Sequence, residues 1–156
     1  MREEDSTSNS DAVSTLGDTP IILVVEDHDV VRTSLCNWLH ASFPNLDCLE
    51  ARGGEEAVAL ALAERPAIIL MDINLPDMNG IEAMRRIKTA APQIHVVMLS
   101  IYEDAHHQAD AMAAQASAYV PKRRMHLDLI PVVKRLLPTV AALVLMILTG
   151  KGFPGC

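Results

Sequence analysis

Between Pro20 and Leu137, five short aliphatic runs alternate with longer segments of helical period, and no other feature constrains the fold of this chain as strongly. The runs are Ile21 to Val25, Leu46 to Glu50, Ala67 to Met71, His95 to Leu99 and Ala118 to Val120. Runs that are apolar throughout, such as IILVV, AIILM and VVML, suit central parallel strands covered on both faces. Leu46, Cys48 and the charged Glu50 place the second run nearer an edge. Repeated strand–helix pairs predict an α/β fold, a doubly wound five-stranded parallel sheet with helices on both faces.

The intervening spacings predict the helices. Val31, Leu35 and Leu39 recur at i, i+4 and i+8, with Asp29 near the start, where the helix dipole favours a negative charge. A second, Ala-rich helix runs from Gly54 to Glu64. Ile81, Met84 and Ile87 form the buried side of a third, with Arg85, Arg86 and Lys88 outside, and it stops before Pro92. A fourth, from Glu103 to Ala114, has only Ala and Met as an apolar face and is predicted to pack weakly. The last starts near Asp128, which puts Pro131 in the first turn, and buries Leu129, Val132, Val133 and Leu136.

A length of 156 residues fits one domain, residues 20–137, with a polar leader at 1–19 and an apolar extension at 138–156. The net charge of -7 offers no electrostatic footprint for nucleic acid. Lys122, Arg123 and Arg124, with Lys134 and Arg135 further on, read as a solvated charge run. Cys36, Cys48 and Cys156 are odd in number and lack metal-ligand spacing, predicting reduced thiols with neither a disulfide framework nor a zinc site, and a cytoplasmic location. His28, His106 and His107 show no metal-like grouping either, and the leader lacks a signal-peptide core.

In an open parallel sheet, ligands bind beyond the carboxyl ends of the strands, so the residues that follow each run matter most. They are Glu26 and Asp27, then Asp72, then Ser100, then Lys122. Unit charges about 4 Å apart at an effective dielectric near 20 interact by roughly 4 kcal/mol, so carboxylates sharing one rim call for a cation. Oxygen ligands without His or Cys at those strand ends suit Mg²⁺. A metal-held carboxylate can attack phosphorus, and a metal, an ammonium and a hydroxyl can neutralise the transferring group. Taken singly, each residue is equally well read as a solvated strand end, a turn or a cap; order and spacing together carry the functional reading.

The stretches VVEDHDVVR, MDINLPDMNGIE, VVMLS and AYVPK resemble the receiver domain of bacterial response regulators, over about Pro20 to Leu137. The steps of 45 residues from Asp27 to Asp72, 28 to Ser100 and 22 to Lys122 are similar to that family's. The resemblance implies a flavodoxin-like receiver fold with strand order 2-1-3-4-5. It implies that Asp72 accepts a phosphoryl group from a histidine kinase or phosphotransfer protein. It further implies Mg²⁺ on Glu26, Asp27, Asp72 and the backbone carbonyl of Asn74, with Ser100 and Tyr119 as switch residues. Lys122 would pair with the phosphate, and Asn74 and Tyr102 would tune the lifetime of the phosphoaspartate. The face made by the fourth helix, fifth strand and fifth helix would then change its affinity for partners.

The sequence departs from the family pattern in several places. Glu26 replaces the commoner Asp, and Gln115 stands where Gly often ends the fourth helix, which counts against a left-handed cap. Arg123 rather than Pro follows Lys122, so no cis peptide is expected there. The nine apolar residues Val140 to Leu148 are too few to span a membrane, which takes about twenty as a helix, and predict instead a helix packing on the domain or on a second copy as a homodimer.

Three functions compete. The leading one is a phosphoacceptor switch, not an enzyme, either stand-alone or as the receiver fragment of a DNA-binding transcriptional regulator whose helix-turn-helix domain is absent. A haloacid-dehalogenase-type phosphatase would carry a second Asp where Asn74 stands. A receiver-like module that no longer takes phosphate would not keep all five site positions.

Overall fold

The structure, a computed structural model, describes residues 19–137; the predicted leader up to residue 18, the apolar extension and Cys156 lie outside this range. Strands β1 (Ile21–Val25), β2 (Asp47–Ala51), β3 (Ile68–Asp72), β4 (His95–Ser100) and β5 (Ala118–Pro121) form one parallel sheet in the order β2-β1-β3-β4-β5. The predicted fold class and strand order are both observed. β2 and β3 each sit one residue later than their hydrophobic runs, because ladder pairing rather than apolarity bounds a strand: Ile21 faces Asp47, and Asp72 still pairs with Leu99. β2 is an edge strand, as its mixed sequence predicted.

Helices α1 (Asp29–Ser42) and α5 (Met125–Leu136) cover one face of the sheet, burying Leu35, Leu39, Leu129 and Val133 against Ile22, Val24, Leu70 and Val97. The other face carries α2 (Gly54–Glu64), α3 (Gly80–Ala90) and α4 (Ala105–Ala113), with Ala57, Ala61, Met84 and Ile87 against Leu23, Ile69, Met71 and Val96. Alternate residues of each central strand thus feed opposite cores, which is why those strands read as unbroken apolar runs.

Several expectations are corrected. The buried side of α1 is Arg32, Leu35, Cys36 and Leu39, at i, i+3, i+4 and i+7, and Val31 is exposed. A helix turning about 100° per residue puts position 31 about 80° from Leu39, at the margin of the buried face, and position 32 only about 20° from it, where Arg32 is accepted because its charge finds partners. α5 begins at Met125, directly after a 3₁₀ turn over Lys122–Arg124, so Pro131 lies inside the helix. The early start is held by Arg124, whose guanidinium bonds Asp128 one turn on. α4 buries only Ala111, and Met112 is exposed, so the weak packing predicted for it is seen with an even smaller apolar face.

Gln115 nonetheless ends α4 in the left-handed region, at φ 74°, and its N–H donates to the Met112 carbonyl while Ala116 N–H reaches Ala111. Those two carbonyl bonds hold a residue whose side chain disfavours this conformation. Among the described residues no peptide is cis, so Lys122–Arg123 is trans. Cys36 and Cys48 form a disulfide between α1 and β2, with Cα atoms 5.9 Å apart, contrary to the expectation of reduced thiols. Cysteine count and spacing hold no information about two residues that meet only when a helix docks beside an edge strand.

Candidate functional site

The carboxyl ends of β1, β3, β4 and β5 meet on one rim. Glu26 follows β1 with its side chain 1% exposed, and Asp72 closes β3 with its side chain 5% exposed. The Lys122 ammonium, carried by the 3₁₀ turn after β5, lies between them, 2.8 Å from Glu26 Oε2 and 2.9 Å from Asp72 Oδ2. Two buried carboxylates thus share one cation, which is what removing both from water demands. Burial works against the ammonium, but its two carboxylate bonds outweigh this and raise its pKa. Burial also pushes Glu26 up; the bonds from Lys122 and His28 prevail and bring it down to about 2. For Asp72, burial dominates over Lys122, with the Glu26 charge adding to it, and its pKa is raised. Of the two acids competing for Lys122, Glu26 has two further contacts from His28 where Asp72 has one from Asn74, and holds its charge more firmly.

Asp27 is one-third exposed as a side chain, yet its Oδ1 is buried without a hydrogen-bond partner. The His28 Nδ1 stands 3.2 Å from it, an ion-pair distance whose angle does not make a hydrogen bond. His28 does bond Glu26 Oε1, at 3.0 Å from Nδ1 and 3.2 Å from the backbone N–H. The expectation that His28 lacks a metal-like grouping is corrected: among the described residues, Glu26, Asp27 and His28 are the one set whose ligand atoms lie within 4.8 Å of one another. Asp72 is outside that set, held off by Lys122. An orphaned buried carboxylate oxygen beside other oxygen donors fits a hard divalent cation.

The loop after β3 is built around close approaches. Asp72 Oδ1 accepts the Asn74 N–H at 3.1 Å, and Asn74 and Asn79 pair across the turn. Asn79 caps α3, accepting from Ile81 N–H at 2.8 Å. Gly80 is required by contact: a Cβ there would come 2.1 Å from the Asp72 carbonyl oxygen. Asp77 reaches across to cap α2, accepting from Gly54 and Glu55 N–H at 2.8 and 2.9 Å, and these bonds lower its pKa. A Cβ on Gly53 or Gly54 would strike Asp77 or Met78. The segment LPDMNG is thus a tight connection from β3 to α3 that also carries Asp72's neighbours.

Ser100 is fully buried at the end of β4, one residue beyond Leu99, the partner of Asp72 in the sheet. Its Oγ accepts the Tyr102 N–H at 2.9 Å. Tyr119, half-buried on β5, donates its hydroxyl to the Tyr102 carbonyl at 2.7 Å. The Tyr102 ring stacks on His107, with centroids 4.4 Å apart. The structure thus brings Glu26, Asp27, Asp72 and Lys122 into one cluster and links Ser100, Tyr102 and Tyr119 in another beside it. Arg123 and Arg124 pair with Glu103 and Asp128 as a solvated run should, while Lys122 leaves the run for the rim.

Arg32 carries no role in the sequence reading. Its side chain is 6% exposed, and its fork bonds the Glu26 carbonyl at 2.8 Å, Asp29 at 2.6 Å and Glu50 at 2.9 Å. It fastens the acidic end of β1 to α1 and β2. A cation in register with Leu35, Cys36 and Leu39, near three acids, is the signal that could have revealed it. Asp77 left a fainter trace: α2 begins at Gly-Gly with no capping side chain of its own.

The response regulator receiver domain model matches residues 22–134. The chain belongs to that family. This receiver domain is 38% identical over 114 residues to the DNA-binding transcriptional activator DevR/DosR of Mycobacterium tuberculosis, a match covering 72% of this chain and 52% of that protein. It is 35% identical over 102 residues to the response regulator GacA of Pseudomonas aeruginosa, covering 65% and 47%. The chain spans about half the length of the curated relatives it matches. Among solved structures, the receiver is similar to a two-component response regulator of the LuxR family from Aurantimonas sp. SI85-9A1, with TM-score 0.71 and 28% identity over 76% of this chain and 85% of that one. The response regulator domain of Thermotoga maritima CheB gives TM-score 0.68 and 27% identity over 76% and 96%.

Proposed function

We propose that this receiver domain is a phosphoacceptor switch in which Asp72 takes a phosphoryl group from the phosphohistidine of a histidine kinase or phosphotransfer protein. The observation that carries the reading is the buried Asp72 carboxylate bonded to Lys122, which also holds Glu26, whose chain neighbour Asp27 keeps a buried oxygen without a partner. An Asp72 oxygen forms the new bond to phosphorus as the donor's N–P bond breaks, and the leaving imidazole keeps the electron pair and takes a proton. Lys122, already on Asp72, then neutralises a phosphoryl oxygen. Asp27 and Glu26, with Asp72 and the Asn74 carbonyl, are the residues to hold Mg²⁺, which supplies charge neutralisation at the transferring group.

Ser100 and Tyr119 are the switch. Ser100 Oγ accepts the Tyr102 N–H and the Tyr119 hydroxyl donates to the Tyr102 carbonyl; a phosphoryl group on Asp72 offers the Ser100 O–H a charged acceptor, and the rotation that reaches it withdraws Oγ from the Tyr102 N–H. Releasing one end of Tyr102 loosens the other, which transmits the change to α4 and the β5–α5 face. Asn74 and Tyr102, two residues beyond Asp72 and Ser100, are placed to set how readily water reaches the phosphoaspartate. The domain turns over no substrate beyond its own phosphoryl group, and we place it in the cytoplasm; among the described residues no helix is long and apolar enough to cross a membrane. Because several relatives are described as DNA-binding or transcriptional regulators, the receiver portion of such a regulator is the second reading.

Incubation with Mg²⁺ and acetyl phosphate tests the proposal by intact mass. The expected result is one phosphoryl adduct, lost in Asp72→Asn and on omitting Mg²⁺. No adduct on the native chain, or an unchanged adduct in Asp72→Asn, sinks it.

A further inference from the structure

The seam between α1 and β2 has two rungs. Arg32 and Cys36 lie one turn apart on the buried side of α1; Glu50 and Cys48 lie two residues apart on one side of β2. Arg32 bonds Glu50, and Cys36 bonds Cys48. The ionic rung continues into the rim, because the same guanidinium donates to the Glu26 carbonyl. Cys36 is buried, whereas Cys48 is a partly exposed residue on the sheet's edge strand, so a small reagent approaches from the Cys48 side. The core under α2, α3 and α4 contains neither cysteine, whereas Cys36 and Cys48 pack with Ile22, Val24 and Leu39 in the core under α1 and α5.

We propose that Cys36 and Cys48 are a reversible thiol–disulfide couple that sets how firmly Arg32 holds the Glu26 end of β1, and thereby the divalent-cation affinity of the rim. In the oxidising direction, the Cys48 thiolate attacks a low-molecular-weight disulfide of the glutathione type, forming a mixed disulfide and releasing one thiolate. The Cys36 thiolate then attacks the Cys48 sulfur and releases the second. Two electrons pass to the small disulfide, and its two released thiols take up the two protons lost by the cysteines. Reduction removes the covalent tie and lets the two sulfurs separate to non-bonded distance, so the seam loosens at that rung. Arg32, one turn away, has a planar fork matched to three acceptors, and a small displacement of α1 misaligns them together. In a reducing compartment, a pair like this is a redox sensor more often than a permanent staple.

The cation half of this inference rests on the proposed Mg²⁺ site, and the experiment separates the two. In the otherwise native chain carrying Cys156→Ser, thiols are counted after equilibration in glutathione buffers of varied ratio, and Mn²⁺ binding is measured on each form from the free-ion paramagnetic signal. The expected result is no free thiol in oxidising buffer and two in reducing buffer, reversibly, with Mn²⁺ bound more weakly by the reduced form by roughly fivefold, the low end of ordinary coupling between sites. Cys36→Ser, whose fold is checked by circular dichroism, should bind like the reduced form in either buffer; if it does not fold, Cys48→Ser takes its place. Two thiols in every buffer, or a disulfide that no buffer reduces, overturns the couple. Equal Mn²⁺ affinity in the two forms overturns the coupling and leaves the cation site standing. Absence of Mn²⁺ binding in both overturns the coupling and the cation site together, while the thiol count still reports on the couple.

Discussion

On the β1–β2 flank of the rim, α1 is tied down by a buried guanidinium with three acceptors, a disulfide and the side chains of Leu35 and Leu39. On the β4–β5 flank, α4 buries Ala111 alone and leaves Ile101, Tyr102 and Met112 exposed. What orders the segment between β4 and α4 is local and polar: Ser100 and Tyr119 on the Tyr102 backbone, Asp104 capping His107, and the Tyr102 ring on His107. Bonds of this kind exchange for water or a new acceptor at little net free energy, whereas burial of large side chains does not. The acid side is therefore held by burial and a covalent tie, and the segment from Ser100 to His107 by exchangeable polar bonds.

Truncation in the two helices gives the largest contrast. Leu39→Ala, at a fully buried position of α1, should destabilise the domain by roughly 3 kcal/mol, and Met112→Ala on α4 by less than about 0.5 kcal/mol, read from urea midpoints at unchanged slope. Equal losses would erase the distinction between the flanks. Next in size is Arg32→Met, which keeps the packing of the stem but leaves the Glu26 carbonyl unpartnered, and should cost about 2 kcal/mol. If it proves neutral, the guanidinium is not what fastens β1.

Gln115→Gly sharpens the picture of the loose flank. Relief of the left-handed strain at φ 74° should stabilise by about 0.5–1 kcal/mol, net of the greater freedom of the unfolded chain, with no change in Asp72 phosphorylation. A loss of stability would mean that the Gln side chain supports the cap. The smallest effect is expected at His95, at the start of β4 and away from both flanks, where Nδ1 meets Ser117 Oγ at 2.9 Å. Burial, with the nearby Lys88 charge, lowers its pKa from 6.5. The folded state then prefers the neutral ring, so its contribution is complete above pH 6.5 and declines as pH falls from there toward the folded pKa. Stability curves of the native chain and His95→Gln should diverge only in that acid range; a difference that instead grows above pH 7 would reverse the assigned sign.

The central strands, the α2 bounds and the α3 face were legible because each depends on the period of its own segment. So was the rim, since parallel strands deliver their following residues to one edge. What escaped had a partner far along the chain. Arg32 drew no reading from the sequence because Glu50, one of its partners, lies far along the chain, and Asp77 caps a helix that begins more than twenty residues earlier. Val31 was misplaced because apolarity was counted where a paired charge occupies the buried position.

The amino-acid sequence by itself determined the alternation of strand and helix, and with it a doubly wound parallel sheet whose acid, hydroxyl and amine share one rim, because these follow from local periodicity and from the direction of parallel strands; the receiver fold and its strand order followed from the resemblance of its motifs to that family. Only the tertiary structure decided that Lys122 would divide itself between Glu26 and Asp72, that Asp27 would keep a buried oxygen without a partner, and that Cys36 would meet Cys48. Each of these depends on how one element sits against another to within an ångström or two, and side-chain packing sets that distance after the chain has folded.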